Sequence, residues 1–322
     1  MAQGSAGIEL TGCSVRPTAP TFEPIARNRP SKGIGSRFKV VVFNARGGKH
    51  LDAIAERLGR PPLAEAGVIL LCELDWRLKR SGMREVAADL AARLSMSFAF
   101  APEYGFPRRD GITSFLGNAI LSAEPLTEIR AVPITSLYDW TRHHPGDVKD
   151  VRAIGARTAL IAAINLGRTR VTLGVAHLER LTSPAGRAIQ MAALIAAIPT
   201  HGPAVIGGDF NTTGADLSRP RELARLALRL LREPRWLQRP ESHEPLFEQL
   251  IRVGFTFEGA NLPLAPTFAP AAPVPRFIRP KLDWVATRGL RPLPHSARVV
   301  CATRSWSRRI SDHDFIACDL EL

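Results

Sequence analysis

The chain has 322 residues, 45% of them hydrophobic, which is enough for one large core, and no apolar run reaches the roughly 18 residues of a membrane-spanning helix. Its net charge of +13 rests on 43 Lys and Arg against 30 Asp and Glu, a balance that suits a polyanionic partner such as nucleic acid or anionic lipid head groups. The four cysteines, Cys13, Cys72, Cys301 and Cys318, show no metal-ligand spacing, which excludes a structural zinc site.

Residues 1–37 are rich in proline and small residues, show no sustained hydrophobic period, and read as a disordered or loosely attached arm. They lack a basic start followed by an apolar stretch, the pattern of a secretory signal, so the cytoplasm is the expected compartment. From there the period alternates. A strand at 38–44 leads to a helix at 50–59 with Leu51, Ile54, Ala55 and Leu58 on one face, ended by Pro61-Pro62. A strand at 67–73 is followed by a helix at 81–94 with Ser81 as its N-cap, then by strands at 97–101, 116–121 and 127–132. The loop 102–114 carries Arg108 and Arg109 and is expected on the substrate side. The polar stretch 133–150 reads as a loop, with Trp140 and Arg142 placed to meet a nucleic-acid backbone or base. His143 and His144 are adjacent, and adjacent histidines diverge on most backbones, so a shared metal is not expected there.

Strands at 154–164 and 169–176 form a hairpin about Asn165-Leu166-Gly167-Arg168. A helix at 184–198 and a strand at 204–209 follow. Residues 215–254 are helical, interrupted by Pro234 and Pro240, and 255–280 is a proline-rich loop region. Strands at 282–287, 297–302 and 314–320 complete the chain. Cys72, Cys301 and Cys318 fall in strand-like runs and are expected as buried thiols. Several strands follow one another without helices, which is too many for one doubly wound sheet. The expected architecture is therefore α/β: a four-layer sandwich of two packed mixed β-sheets flanked by helices, formed as one domain over 38–322.

Six apolar runs carry a polar group at or beside one end. They are Asn44, Glu73, His177, Asp209 with Asn211, Asp283, and Asp312 with His313. The most informative is Ala204-Val205-Ile206-Gly207-Gly208-Asp209-Phe210-Asn211, where the glycines read as the abrupt end of a buried strand. Positions two apart in an extended chain share a side, so Asp209 and Asn211 are expected to face one pocket. A full set of such ends points to one shared site at a sheet edge. Glu73, Asn44 and Asp312 offer the oxygen donors that Mg²⁺ takes alongside its waters. Asp209 and Asn211 suit the handling of a nucleophilic water, and His177 and His313 the binding of phosphoryl oxygens or proton transfer. Asp283 is placed to fix the tautomer of His313.

These pieces, with Gly117-Asn118-Ala119-Ile120-Leu121-Ser122 and Arg157, stand in the order of the endonuclease/exonuclease/phosphatase superfamily with its deoxyribonuclease-I-like fold, which this chain resembles over about residues 40–314. The resemblance implies the four-layer sandwich and a metal-dependent hydrolase of phosphoester bonds using Mg²⁺, or Mn²⁺ in its stead. It implies Asn44, Glu73 and Asp312 at the metal, Asp209 and Asn211 at water and phosphate, and His177 on the phosphate or leaving group. His313, oriented by Asp283, is implied as base or phosphate ligand. Asn118 and Arg157 are implied as support for the site or the phosphate. Two positions depart from the pattern, Ala176 where Thr is frequent and Cys72 where Gln is frequent, and neither removes a charged group. Nucleic acid is the expected substrate because of the basic balance. The alternative is a phospholipid or inositol phosphate, for which Leu262-Pro263-Leu264 and the loop 274–278 are candidate membrane-facing tips.

Overall fold

A computed structural model describes residues 21–107, 113–140, 153–270, 274–305 and 308–322. In chain order its elements are β1 (Ile25–Arg27), β2 (Arg37–Gly47), α1 (Leu51–Leu58), β3 (Ala66–Trp76), α2 (Val86–Leu94), β4 (Ser97–Phe106), β5 (Ser114–Ser122), β6 (Thr127–Pro133), β7 (Ile154–Gly155), β8 (Thr158–Leu166) and β9 (Thr169–His177). There follow α3 (Pro184–Ala197), β10 (Ala204–Asp209), α4 (Pro220–Arg232), α5 (Leu246–Arg252), β11 (Asp283–Arg288), β12 (Arg291–Pro292), β13 (Arg298–Val300), β14 (Thr303–Ser305), β15 (Arg308–Arg309) and β16 (Phe315–Glu321).

Among the described residues, one sheet runs β1-β4-β5-β3-β2-β16-β12, with β7 on β4 and β13 on β16, and a second runs β11-β10-β9-β8-β6. Both are mixed: β2 pairs β3 in parallel and β9 pairs β10 in parallel, while the other neighbours are antiparallel. The period of two sorts each strand's side chains onto two faces. Val41, Phe43, Ile69 and Leu71 pack against Leu51, Ile54 and Leu58 of α1 and Val86 and Leu90 of α2. Val40, Val42, Leu70 and Cys72 point the other way, into a layer shared with Leu173, Val175, Val205 and Val285 of the second sheet. The far face of that second sheet is covered by Met191 and Leu194 of α3 and Phe247 and Leu250 of α5. Helices, sheet, sheet and helices make the expected four layers, each full aliphatic burial contributing about 1.5–3 kcal/mol.

The glycines of β10 do a different job from the one their sequence suggests. The strand runs through them to Asp209. A Cβ at Gly207 would lie 2.7 Å from Val42 and 2.8 Å from Leu70 of the other sheet, and one at Gly208 would lie 2.0 Å from the Ala176 carbonyl. Close approach, of the other sheet at Gly207 and of the neighbouring strand β9 at Gly208 with its φ of +143°, and not strand termination, is what requires them.

Several boundaries move. Helix α2 starts at Val86, because Ser81 closes a 3₁₀ turn followed by Gly82 in the left-handed conformation. Strand β4 continues to Phe106, taking in the first half of the expected loop 102–114. The run 154–164 is split into β7 and β8 around Ala156-Arg157. Cys72 and Cys318 are buried as expected, but Cys301 follows the end of β13 and is exposed. Of the expected loose arm, residues 21–37 are tied to the domain. Here β1 pairs β4, Phe22 packs edge-on to Phe115, and Asn28 exchanges hydrogen bonds with the Leu126 backbone. Residues 1–20, with Cys13, and Arg108, Arg109, Arg142, His143 and His144 lie outside the described residues. No helix among the described residues is long and apolar enough to cross a membrane.

Candidate active site

Three strands of the second sheet end in one row. In register, His177 of β9 lies beside Asp209 of β10, which lies beside Asp283 of β11. Two carboxylates directly across a sheet repel one another. His313 sits between them: its Nδ1 is 2.8 Å from Asp283 Oδ2 and its Nε2 3.5 Å from Asp209 Oδ2. Thr267 Oγ1 accepts the backbone N–H groups of Leu282 and Asp283, and Phe268 stacks edge-on against the His313 ring. These contacts fix the approach of both partners.

Asp209 Oδ2 is the hub. It accepts from Asn44 Nδ2 at 3.0 Å and lies 3.5 Å from His177 Nε2 as well as from His313 Nε2. Asp209 Oδ1 accepts the backbone N–H of Asn211 at 3.0 Å. Asn211 is beyond the strand, at φ +50°, and its Nδ2 donates to the Leu178 carbonyl. It therefore reaches Asp209 through a turn, not through strand alternation as the sequence suggests.

The other sheet supplies Asn44 and Glu73. Each stands where the ladder is irregular: pairing shifts register between Asn44 and Gly47 of β2 and between Leu71 and Leu74 of β3. Glu73, at φ +53°, is thereby turned out of the ladder towards Asn44 Nδ2, at 3.2 Å, and His177 Nε2, at 3.8 Å. Ser311 Oγ donates to the Asn44 carbonyl at 2.7 Å, lies 3.4 Å from Asp312 Oδ1 and accepts the His313 N–H, which brings Asp312 to the same edge. Arg46 Nε lies 3.5 Å from Asp312 Oδ2. Cys72 and Ala176, the two departures from the family pattern, meet directly behind the site, with Cys72 Sγ 3.5 Å from the Ala176 carbonyl oxygen.

His177 has a cationic backing. Arg157 Nη1 is 2.9 Å from His177 Nδ1. A guanidinium only donates, so Nδ1 is the acceptor and the ring proton is on Nε2, facing Asp209. Burial, then the Arg157 charge, drives the His177 pKa well below the usual histidine range. Arg157 is held by Glu103 at 3.2 Å and Glu179 at 3.7 Å, with Tyr104 and Trp140 rings against its guanidinium. Trp140 is buried and donates to Glu179 Oε1 at 2.6 Å, so it is not a free surface for a base. Glu103 is pushed up to about 7 by burial, against the pull of Arg157. Asn118 donates to the Thr158 carbonyl at 2.9 Å and links the two sheets beneath the site.

His313 is the reverse case. Burial disfavours its charge, but Asp283 and Asp209 outweigh that and raise its pKa to about 10. Burial raises Asp209, with the His313 charge working against it. The atoms of Asp209, Asp283 and His313 all lie within 4.8 Å of one another, a spacing that a metal also accepts. In the structure the His313 imidazolium offsets one of the two carboxylate charges of this buried group. The more open oxygen donors are Glu73 and Asp312, whose side chains are 31% and 28% exposed.

All ten residues expected from the sequence are thus linked around one sheet edge or directly behind it. Glu103, Glu179, Thr267, Ser311 and Arg46 were not singled out. Glu103 carried a signal, an acid set inside the apolar run Phe100-Ala101-Pro102-Glu103-Tyr104, whereas Glu179, between Leu178 and Arg180, carried none.

This fold and site define a class, and the chain belongs to the Endonuclease/Exonuclease/phosphatase family, whose sequence profile matches residues 41–313. Members of that family are typically hydrolases of phosphoester bonds and generally depend on a divalent metal. Among solved structures, an endonuclease/exonuclease/phosphatase from Beutenbergia cavernae is similar at 18% identity and TM-score 0.54, over 89% of this chain and 72% of that one. An AP endonuclease from Archaeoglobus fulgidus is similar at 14% identity and TM-score 0.53, over 87% and 98%. D. rerio TDP2, solved with a single-strand DNA product, is similar at 17% identity and TM-score 0.50, over 89% and 100%. No curated protein sequence matches the chain.

Proposed function

We propose that this protein is a divalent-metal-dependent phosphodiesterase acting on nucleic acid. The observation that carries the reading is one carboxylate oxygen, Asp209 Oδ2, within 3.5 Å of two imidazole Nε2 atoms that differ in charge, held by the Asn44 amide and beside the carboxylates Glu73 and Asp312.

The donor set fits Mg²⁺, with Mn²⁺ as a substitute. Glu73 and Asp312 present hard oxygens that remain partly open to water, while Asn44, expected as a third donor, turns its Nδ2 to Glu73 and Asp209 and accepts the Arg46 backbone N–H on its Oδ1, so it positions the acids. Bound there, the cation supplies charge neutralisation at the phosphoryl group and its leaving oxygen. The chain's own groups do the rest. Asp209, its pKa raised by burial, takes the proton of the attacking water as the water oxygen bonds to phosphorus and the bond from phosphorus to the leaving oxygen breaks, the leaving oxygen then taking a proton from solvent. Asn211, through its backbone N–H, holds the other Asp209 oxygen and so orients the base. His177, neutral and protonated on Nε2, donates to a phosphoryl oxygen. His313, cationic, donates to another and offsets the charge that builds in the transition state. This favours His313 as phosphate ligand over His313 as base. Asp283 keeps it charged, Arg157 sets the His177 tautomer, and Asn118 braces the sheets.

Nucleic acid as substrate is supported by the net charge of +13 and by the DNA product in the D. rerio TDP2 structure. The test is a panel of single- and double-stranded DNA, RNA, phosphoinositides and sphingomyelin, with Mg²⁺ and with EDTA. Cleavage of DNA or RNA that stops in EDTA is expected. Activity confined to the lipids overturns the substrate reading, and activity that persists in EDTA overturns the metal reading.

A further inference from the structure

Helix α4 presents an apolar face that none of the described residues covers. None of its residues is buried. Its inner side is marked by the half-buried Glu222, Leu226 and Leu230, and the Arg229 guanidinium lies 4.5 Å from the Trp236 ring centroid. On its outer side Ala224, Ala227, Leu228 and Leu231 recur at the i, i+3, i+4, i+7 spacing of a single stripe, and all four are exposed. Leu228 is 58% and Leu231 81% exposed. Arg221 and Arg232 lie beside this stripe on the helix surface. Across 219–239 there are seven Arg against Glu222 and Glu233. The 3₁₀ turn after the helix is joined by Gln238 Nε2 to the Arg276 carbonyl, next to Phe277, which is 51% exposed.

We infer that α4 docks this protein, lying flat, on an anionic lipid bilayer surface. An amphipathic helix with leucine on one face and arginine along its border is the element that settles at the head-group boundary, with apolar burial and attraction to anionic lipid acting together. About 20 Å of helix is available for that contact. Charge decides against a second copy of the chain as occupant. Two such helices face to face would oppose two arginine borders, each with few acids to pair them. A zwitterionic surface would satisfy the leucines and leave the arginines without partners. The docking is independent of the catalytic reading and goes beyond it, since binding needs neither metal nor cleavage.

The test uses the full chain with phosphatidylcholine vesicles, with and without phosphatidylglycerol, in a flotation assay, and sedimentation equilibrium of the protein alone. Phosphatidylglycerol is expected to raise the bound fraction about tenfold or more. The double variant Leu228→Glu/Leu231→Glu is expected to lose that binding with an unchanged circular dichroism spectrum, and Arg221→Gln/Arg232→Gln to weaken it. Three results overturn the inference: no binding of the wild-type chain to anionic vesicles, equal binding by the Leu228→Glu/Leu231→Glu variant, or a wild-type dimer that this variant converts to monomer.

Discussion

The two halves of the site hold the same side chain in opposite states. His177 and His313 each present Nε2 at 3.5 Å from the same oxygen of Asp209, and both are buried. Behind His177 stands the Arg157 guanidinium, and behind His313 the Asp283 carboxylate. The first imidazole is held neutral and the second is held charged. The lesson is that the group one bond further out assigns the role of a histidine, not its distance to the reacting centre. Both rings point an N–H towards the place where phosphate charge develops, but only one brings a full positive charge with it.

The largest effect is expected where the two halves meet. Asp209→Asn removes the proton acceptor common to both and is expected to lower kcat by roughly 10³ with little change in KM, read from steady-state kinetics. Breaking the anionic half comes next. Asp283→Asn leaves a hydrogen-bond acceptor but removes the charge, so the His313 pKa is expected to fall and kcat to drop by about 10- to 100-fold. NMR titration of the ring checks this, and a His313 that stays charged to the same pH as in the wild-type chain would break the comparison. Breaking the cationic half with Arg157→Met leaves Glu103 and Glu179 without their shared cation, at a cost of about 3–5 kcal/mol in urea unfolding, and frees His177 Nδ1 to carry the proton. The ring tautomer read by ¹⁵N NMR tells this change from simple destabilisation.

The smallest effect comes from a third imidazole, which sharpens the same rule. His243 stacks on Trp236, has Arg187 and Arg229 nearby, and is lowered from 6.5 to about 4 by burial and then by those cations. Between those two values the unfolded chain binds a proton that the folded chain refuses. Stability is therefore full above about pH 6.5 and falls as the pH drops towards 4. His243→Gln is expected to flatten that part of the stability–pH curve, compared by urea melts at neutral pH and near pH 4.

Much of this arrangement was legible in the sequence because it rests on short-range pattern. Near-continuous apolar runs in Phe38–Phe43 and Gly67–Cys72 marked strands buried on both faces, and a polar residue at each strand's end pointed to the candidate site. What escaped depends on contacts between residues distant in the chain. Nothing local to Gly207-Gly208 says that another sheet passes within van der Waals reach of the first glycine and the β9 backbone within reach of the second, so the glycines read as a stop. The turn of Glu73 depends on a register shift against β5, which is a property of two strands and not of one. Trp140 read as a surface aromatic because its partner Glu179 lies 39 positions away. Arg157 carried no local sign of which imidazole it would face.

The chain between β10 and β11, α4 included, leaves the sheet beside Asp209 and returns to it beside Asp283, and the two strands are zipped in register from Ala204–Arg288 up to that pair. Such an anchorage is stiff at its root. A load applied to the helix meets the buried Arg187–Glu244 pair and the core packing of Phe247 and Leu250 before it reaches the ladder of six paired rungs. The spacing of the two carboxylates is thereby shielded from forces on the outer segment, and attachment there leaves the chemistry undisturbed.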